Sequence, residues 1–122
     1  MPTYVTCTVV ETDAAHAFEL GISLRVDGPT GTAVREDPHV PEVFYVEGCT
    51  EGPDLPTALV ETGTAIARTV AGSGLPGVVV EVTVLDADGA LTWVPSADVP
   101  ALDGTGPGVP APDAPAGGTP TR

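Results

Sequence analysis

Lysine is absent from the 122-residue sequence, and only four arginines stand against 17 aspartates and glutamates, so the formal net charge is -13. Such an acidic surface repels phosphates and anionic lipid headgroups, so we expect no binding to nucleic acid and none to a membrane surface. Cysteine is scarce as well. Cys7 and Cys49 are too few to form a disulfide scaffold, and this usage fits a reducing compartment.

Long apolar runs are also missing, because none approaches the roughly 20 residues that a membrane span requires. The first residues, MPTYVTCTVV, have no basic region and no small-residue cleavage site. This pattern argues against a secretory signal. We therefore expect a cytoplasmic protein.

Large apolar residues are almost absent from residues 96–122, which are rich in proline, glycine and alanine. A segment of this composition cannot bury enough apolar surface to offset the entropy lost on ordering it. The sequence therefore predicts a disordered tail over 96–122. Residues 1–95 are enough for a single small domain.

The first two predicted strands differ in how clearly they are encoded. Tyr4–Val10 is β-branched and aromatic, which is typical of a strand. In Phe18–Val26, apolar residues alternate with Glu, Gly, Ser and Arg, and a period of two favours a strand that forms a hairpin with the first one. A helix over residues 13–26 is the open alternative, since it would place Phe18, Ile22 and Val26 on one side.

Residues 27–41 contain turn signals and are predicted to form a loop, and Val43–Glu47 is a short strand or a partly helical stretch. The clearest helix covers Pro56–Val70. Asp54 is its expected N-cap, and two glycines follow its last residue.

A final hairpin is predicted from Val78–Leu85, the turn Asp86–Gly89 and the return strand Ala90–Val94. The whole pattern, β-β-β-α-β-β, predicts an α+β fold in which one or two helices cover one face of a small antiparallel sheet. Because these helices cannot cover both faces of a five-stranded sheet, we also expect a homo-oligomer.

Candidate chemistry is sparse. Cys7, His16, His39 and Cys49 do not have the paired spacing of a structural zinc site, and Cys49 with either histidine is the only cysteine-based nucleophile that the sequence offers. A core cysteine, an exposed thiol and two loop histidines explain these residues better. We therefore expect no metal and no cofactor, and no catalytic residue is identified.

Pro2 opens a separate alternative. If Met1 is removed, the proline amine becomes the N-terminus, and such an amine can act as a base near neutral pH. The tautomerase superfamily resembles this arrangement, with a terminal proline leading into a strand. An N-terminal-proline tautomerase is therefore one functional hypothesis.

The helical run Leu59–Ala67 (LVETGTAIA) and the valine-rich strand after it resemble part of the dihydroneopterin aldolase family and, more widely, the tunnelling fold, over residues 55–86. In that family a glutamate of the helix anchors the amide and amine edge of a pterin or purine. The resemblance implies this ligand-binding role for Glu61, with the ligand at a subunit interface. It does not imply the aldolase reaction, because Asp86 stands where the family has its catalytic lysine.

Three functions follow as hypotheses. The first is an oligomeric binder or degenerate enzyme for a pterin-like or purine-like molecule. The second is an accessory protein whose acidic surface binds a basic protein partner. The third is the tautomerase.

Overall fold

The structure, a computed structural model, describes residues 1–95, and the tail predicted over 96–122 lies outside them. Seven elements follow in chain order: β1 (Thr3–Glu11), α1 (Ala17–Asp27), β2 (Ala33–Glu36), β3 (Val43–Glu51), α2 (Leu55–Ser73), β4 (Val78–Leu85) and β5 (Ala90–Trp93). The strands form a single antiparallel sheet in the order β2-β3-β1-β4-β5. The predicted α+β class is confirmed.

The first six elements have the order β-α-β-β-α-β, and β1 lies at the centre between β3 and β4. This is the ferredoxin-like arrangement, in which two split β-α-β units share one sheet. Strand β5 extends the sheet beyond β4 through the hairpin that the sequence predicted. In that hairpin the Asp86 amide donates to the Gly89 carbonyl over 2.9 Å.

The predicted strand over Phe18–Val26 is wrong, because this segment is helix α1. Its buried residues are Ala17, Leu20, Gly21 and Leu24, which recur with helical spacing. The apolar residues at the other alternating positions are exposed instead: Phe18 by 80%, Ile22 by 45% and Val26 by 73%. The period of two therefore arose because exposed apolar residues alternate with the core residues Leu20 and Leu24.

The hairpin expected between the first two strands is consequently absent from the described residues, and β1 pairs with β3 and β4. The sheet also contains β2, a strand that lies within the segment predicted to be a loop. Arg35 on β2 contacts Glu47 on β3 through a 3.2 Å ion pair and stacks over the Tyr45 ring at 4.5 Å. These contacts add to the antiparallel pairing of β2 with β3, which forms a short edge strand where the sequence alone predicts none.

Helix α2 forms where the sequence predicted it and extends by one residue at its start and three at its end. The Asp54 carboxylate caps it by accepting a 2.9 Å hydrogen bond from the Thr57 amide. Gly74 ends it in a left-handed conformation with φ of 73°, which glycine adopts without steric cost.

The two sides of the sheet differ in how they are covered. On β1, the alternate residues Tyr4, Thr6, Thr8 and Val10 are buried, while Val5 between them is 51% exposed. We call the side that carries Val5 the outer face. The core lies on the other side, between the sheet and the two helices, and includes Phe44, Leu59 and Trp93. Within residues 1–95, neither helix is long and apolar enough to cross a membrane.

Candidate functional site

A cavity of about 260 Å³ lies between the inner side of the sheet, helix α2 and the loop that joins α1 to β2. Six of its twelve lining residues are threonines, contributed by β1, β3, α2 and that loop: Thr6, Thr8, Thr30, Thr32, Thr50 and Thr62. Apolar side chains such as Val46 and Ile66 form much of the remaining wall. The cavity is therefore small and mainly apolar, with threonines at half of its lining positions.

The threonines of β1 reach the cavity because residues of a strand point alternately to its two sides. Thr6 and Thr8 share their side with Tyr4 and Val10, so they take positions that valine or leucine usually fills in a core. Thr8 lies opposite Val46 on β3 and opposite Val82 on β4. Its side chain thus stands at the centre of the sheet, beneath helix α2.

The Thr8 hydroxyl is fully buried and has no hydrogen-bond partner, and the Thr62 hydroxyl on α2 is likewise buried and unpartnered. Leaving one such group unsatisfied costs about 1–3 kcal/mol. Native proteins contain few of these groups, and each calls for an explanation. Both of these threonines are among the residues that line the cavity.

Glu61, the residue singled out by the sequence, also lines the cavity. It lies on α2 next to Thr62 and its side chain is exposed, so its carboxylate stands on the solvent side of the cavity. It is the only charged side chain among the described lining residues. Hydrogen bonding and attraction to a ligand's N–H groups are the chemistry that this arrangement provides.

The loop between α1 and β2 forms the remaining side of the cavity. Its turn is closed by Thr32, whose hydroxyl donates a 2.7 Å hydrogen bond to the Pro29 carbonyl. Gly31 takes a left-handed conformation with φ of 86°. The loop packs directly on β3 at Gly48, where an added Cβ would lie 3.1 Å from Thr32 Cγ2. This close approach favours glycine at position 48, because a larger residue would displace Thr32.

The cysteines and histidines are not brought together. Cys49 contributes to the cavity wall, but neither histidine does. His16 forms a 2.7 Å contact with Asp13, which lowers the pKa of that carboxyl group. Burial raises the pKa of Cys7, so its thiol is less reactive than an ordinary one. Both cysteines are free thiols, and residues 1–95 contain no cluster of three potential metal ligands.

Pro2 is exposed and does not line the cavity. Its carbonyl accepts a 3.2 Å hydrogen bond from the Gly52 amide, which holds the start of β1 beside the end of β3.

The cavity threonines were missed in the sequence, although a signal for them exists. In a strand as apolar as YVTCTVV, two threonines that share a side with Tyr4 and Val10 indicate a polar patch inside the core. The sequence does not show that this patch lies near Glu61, because that proximity depends on how α2 packs on the sheet.

No family model matches the chain, and no curated protein is significantly similar to it in sequence. Among solved structures, it is similar in shape to a protein from Chloroflexus aurantiacus J-10-fl that is provisionally described as an antibiotic biosynthesis monooxygenase. The two share 16% identity with a TM-score of 0.41, and the match covers 79% of this chain and 95% of the other. A likeness at this level assigns no function.

Proposed function

We propose that the protein binds a small molecule in the cavity between α2 and the sheet, with Glu61 as the polar anchor at the solvent side. The observation that carries this proposal is the fully buried, unpartnered hydroxyl of Thr8, a residue that lines the same cavity as Glu61. A core position that needs only packing would be more stable with valine. Retaining a hydroxyl there is explained by a ligand that pairs with it.

The resemblance to the dihydroneopterin aldolase family suggests a first ligand, a pterin or a purine. A carboxylate can accept two parallel N–H hydrogen bonds from the amide and amine edge of such a ring. The wall residues Val46 and Ile66 would contact the flat apolar faces of the ring. In this proposal the cavity of one chain holds the ring, and the aldolase reaction is not included because the sequence has no lysine.

Pterin itself is the probe, and its binding is measured by fluorescence titration. We expect Glu61→Gln to weaken binding about tenfold or more, the range of a lost hydrogen bond to a charged group. Glu19→Gln is the matched control, since it removes the same charge from an exposed helical position away from the cavity. Equal loss in both variants, or no pterin binding by the wild type, contradicts a pterin anchored by Glu61.

The homo-oligomer stays a proposal, and the outer face of the sheet is the surface we assign to it. Both helices lie on the other side, and Val5 and Leu85, paired across β1 and β4, are half-exposed on this one. A second copy that packs face to face would bury them. Light scattering should give at least a dimer for the wild type and a monomer for Val5→Lys, with Val40→Lys unchanged. A monomeric wild type contradicts this assembly.

A protein partner is the second candidate function, and helix α1 favours it. Phe18, Ile22 and Val26 form an exposed apolar stripe on a protein with a net charge of -13. A basic amphipathic helix would complement both properties. A Lys/Leu amphipathic peptide should bind in a salt-sensitive manner and lose affinity with Phe18→Ser but not with Val40→Ser. Equal affinity for both variants contradicts this surface.

The tautomerase remains a proposal with a simple test, since intact-mass spectrometry shows whether Met1 is retained. A retained Met1 blocks the proline amine and ends that hypothesis. The cytoplasmic location is also proposed, and it is supported by the free thiols of Cys7 and Cys49.

A further inference from the structure

We infer that the cavity selects compact, neutral or cationic ligands that present N–H groups, and that it rejects the same scaffold when it carries a carboxylate or a phosphate. This inference rests on the proposed function and adds the ligand's charge class to it. It is independent of whether the ligand is a pterin.

The polar groups in the cavity wall favour ligand N–H groups over anions. The threonine hydroxyls are neutral, and Glu61 supplies the only charge among the described lining residues. An anion placed there would lose its hydration without gaining a cationic partner, which is costly. A ligand N–H group would gain a carboxylate acceptor, and the unpartnered hydroxyls of Thr8 and Thr62 can each donate or accept.

The arginines of residues 1–95 are not among the residues that line the cavity. Arg25 and Arg35 are each paired with a glutamate that does not line the cavity, over 3.3 Å and 3.2 Å. Arg68 is exposed on α2, seven residues beyond Glu61, which is about 10 Å along a helix axis. An anion in the cavity would therefore meet no arginine among the described lining residues.

The size of the cavity and the net charge of the protein restrict the ligand further. A volume of about 260 Å³ lies just below the range of about 300–1,000 Å³ that is usual for drug-sized ligands, so the occupant is a compact molecule. The net charge of -13 adds a field that attracts cations and repels anions before contact. The volume limits the size of the ligand, and the net charge favours the same cationic ligands that the cavity wall favours.

Three probes of nearly the same shape separate charge from fit: benzamidine is a cation, benzamide is neutral and benzoate is an anion. Each is titrated into the full chain, and the methyl signals of Thr8 and Thr62 are followed by NMR. The threonine signals distinguish the cavity from weak cation binding elsewhere on the acidic surface. We expect benzamidine to bind most tightly, benzamide more weakly and benzoate not detectably.

Glu61→Gln should reduce the preference for benzamidine over benzoate by about tenfold, the size of a single charge interaction near the surface. Glu19→Gln should leave that preference unchanged. Benzoate that shifts the two threonine signals as strongly as benzamidine overturns the charge selection but leaves the cavity as a binding site. If none of the probes moves either signal at millimolar concentration, the binding function fails, and the charge selection fails with it.

Discussion

The Tyr45 hydroxyl on β3 donates a 2.6 Å hydrogen bond to the carboxylate of Asp37, which follows β2. The same carboxylate accepts hydrogen bonds from the amides of His39 and Val40, so one side chain organises the turn between β2 and β3. This contact supports the edge of the sheet that the sequence did not reveal.

The stability of the protein should fall in acid, partly through the hydrogen-bonded pair of Tyr45 and Asp37. The hydrogen bond from Tyr45, together with those from the two backbone amides, lowers the pKa of Asp37 below its ordinary value. A carboxyl group whose pKa is lowered by folding stabilises the protein above about pH 4, and this contribution is lost as the pH falls through the folded-state pKa. The urea midpoint should therefore drop on acidification, and the difference between wild type and Tyr45→Phe should be largest near neutrality and shrink in acid. A difference that is independent of pH contradicts this coupling.

Thr8→Val should increase the stability of the ligand-free protein and decrease its affinity for the ligand. Removing an unsatisfied buried hydroxyl recovers part of a penalty of about 1–3 kcal/mol. Unfolding in urea, followed by the fluorescence of the single buried Trp93, measures the first effect, and pterin titration measures the second. Thr3→Val, an exposed position on the same strand, is the control and should change neither quantity. If Thr8→Val destabilises the protein, the hydroxyl has a partner after all.

The helix glycines should respond in opposite directions to alanine. A Cβ at Gly21 would lie 3.0 Å from Cε1 of Phe44, which is fully buried, so Gly21→Ala should destabilise by about 1–3 kcal/mol through overpacking. Gly72 lies within α2 with open space around it, so Gly72→Ala should stabilise by about 0.5–1 kcal/mol. Urea unfolding measures both changes. The same sign for both variants would falsify the assignment of Gly21 to a close helix–sheet contact.

Asp54→Ala should loosen the first turn of α2, because the cap to the Thr57 amide is lost. Hydrogen exchange at that amide should become faster, while exchange at Val70, near the other end of the helix, should change little. Asp54→Asn retains an acceptor and serves as the control. Since Glu61 lies less than two turns away, pterin affinity should also fall if the fraying reaches the cavity.

Much of the second half of the fold could be predicted because its patterns are local. Strand β4 has the bounds that its valine run indicated, and α2 carries both the cap and the terminal glycine that define a helix. The first half could not be predicted in the same way. In α1, exposed apolar residues alternate with buried ones and imitate a strand, and β2 depends on its antiparallel pairing with β3.

The sequence by itself determined the acidic surface, the α+β class and the helix that carries Glu61, because charge, turn residues and helix caps act over short stretches of chain. The tertiary structure decided that α1 is a helix and that Glu61 shares a cavity with Thr8, which lies 53 positions earlier in the chain. Which residues meet depends on how α2 packs across the sheet. That packing is set by burial summed over the whole core, which no local pattern contains.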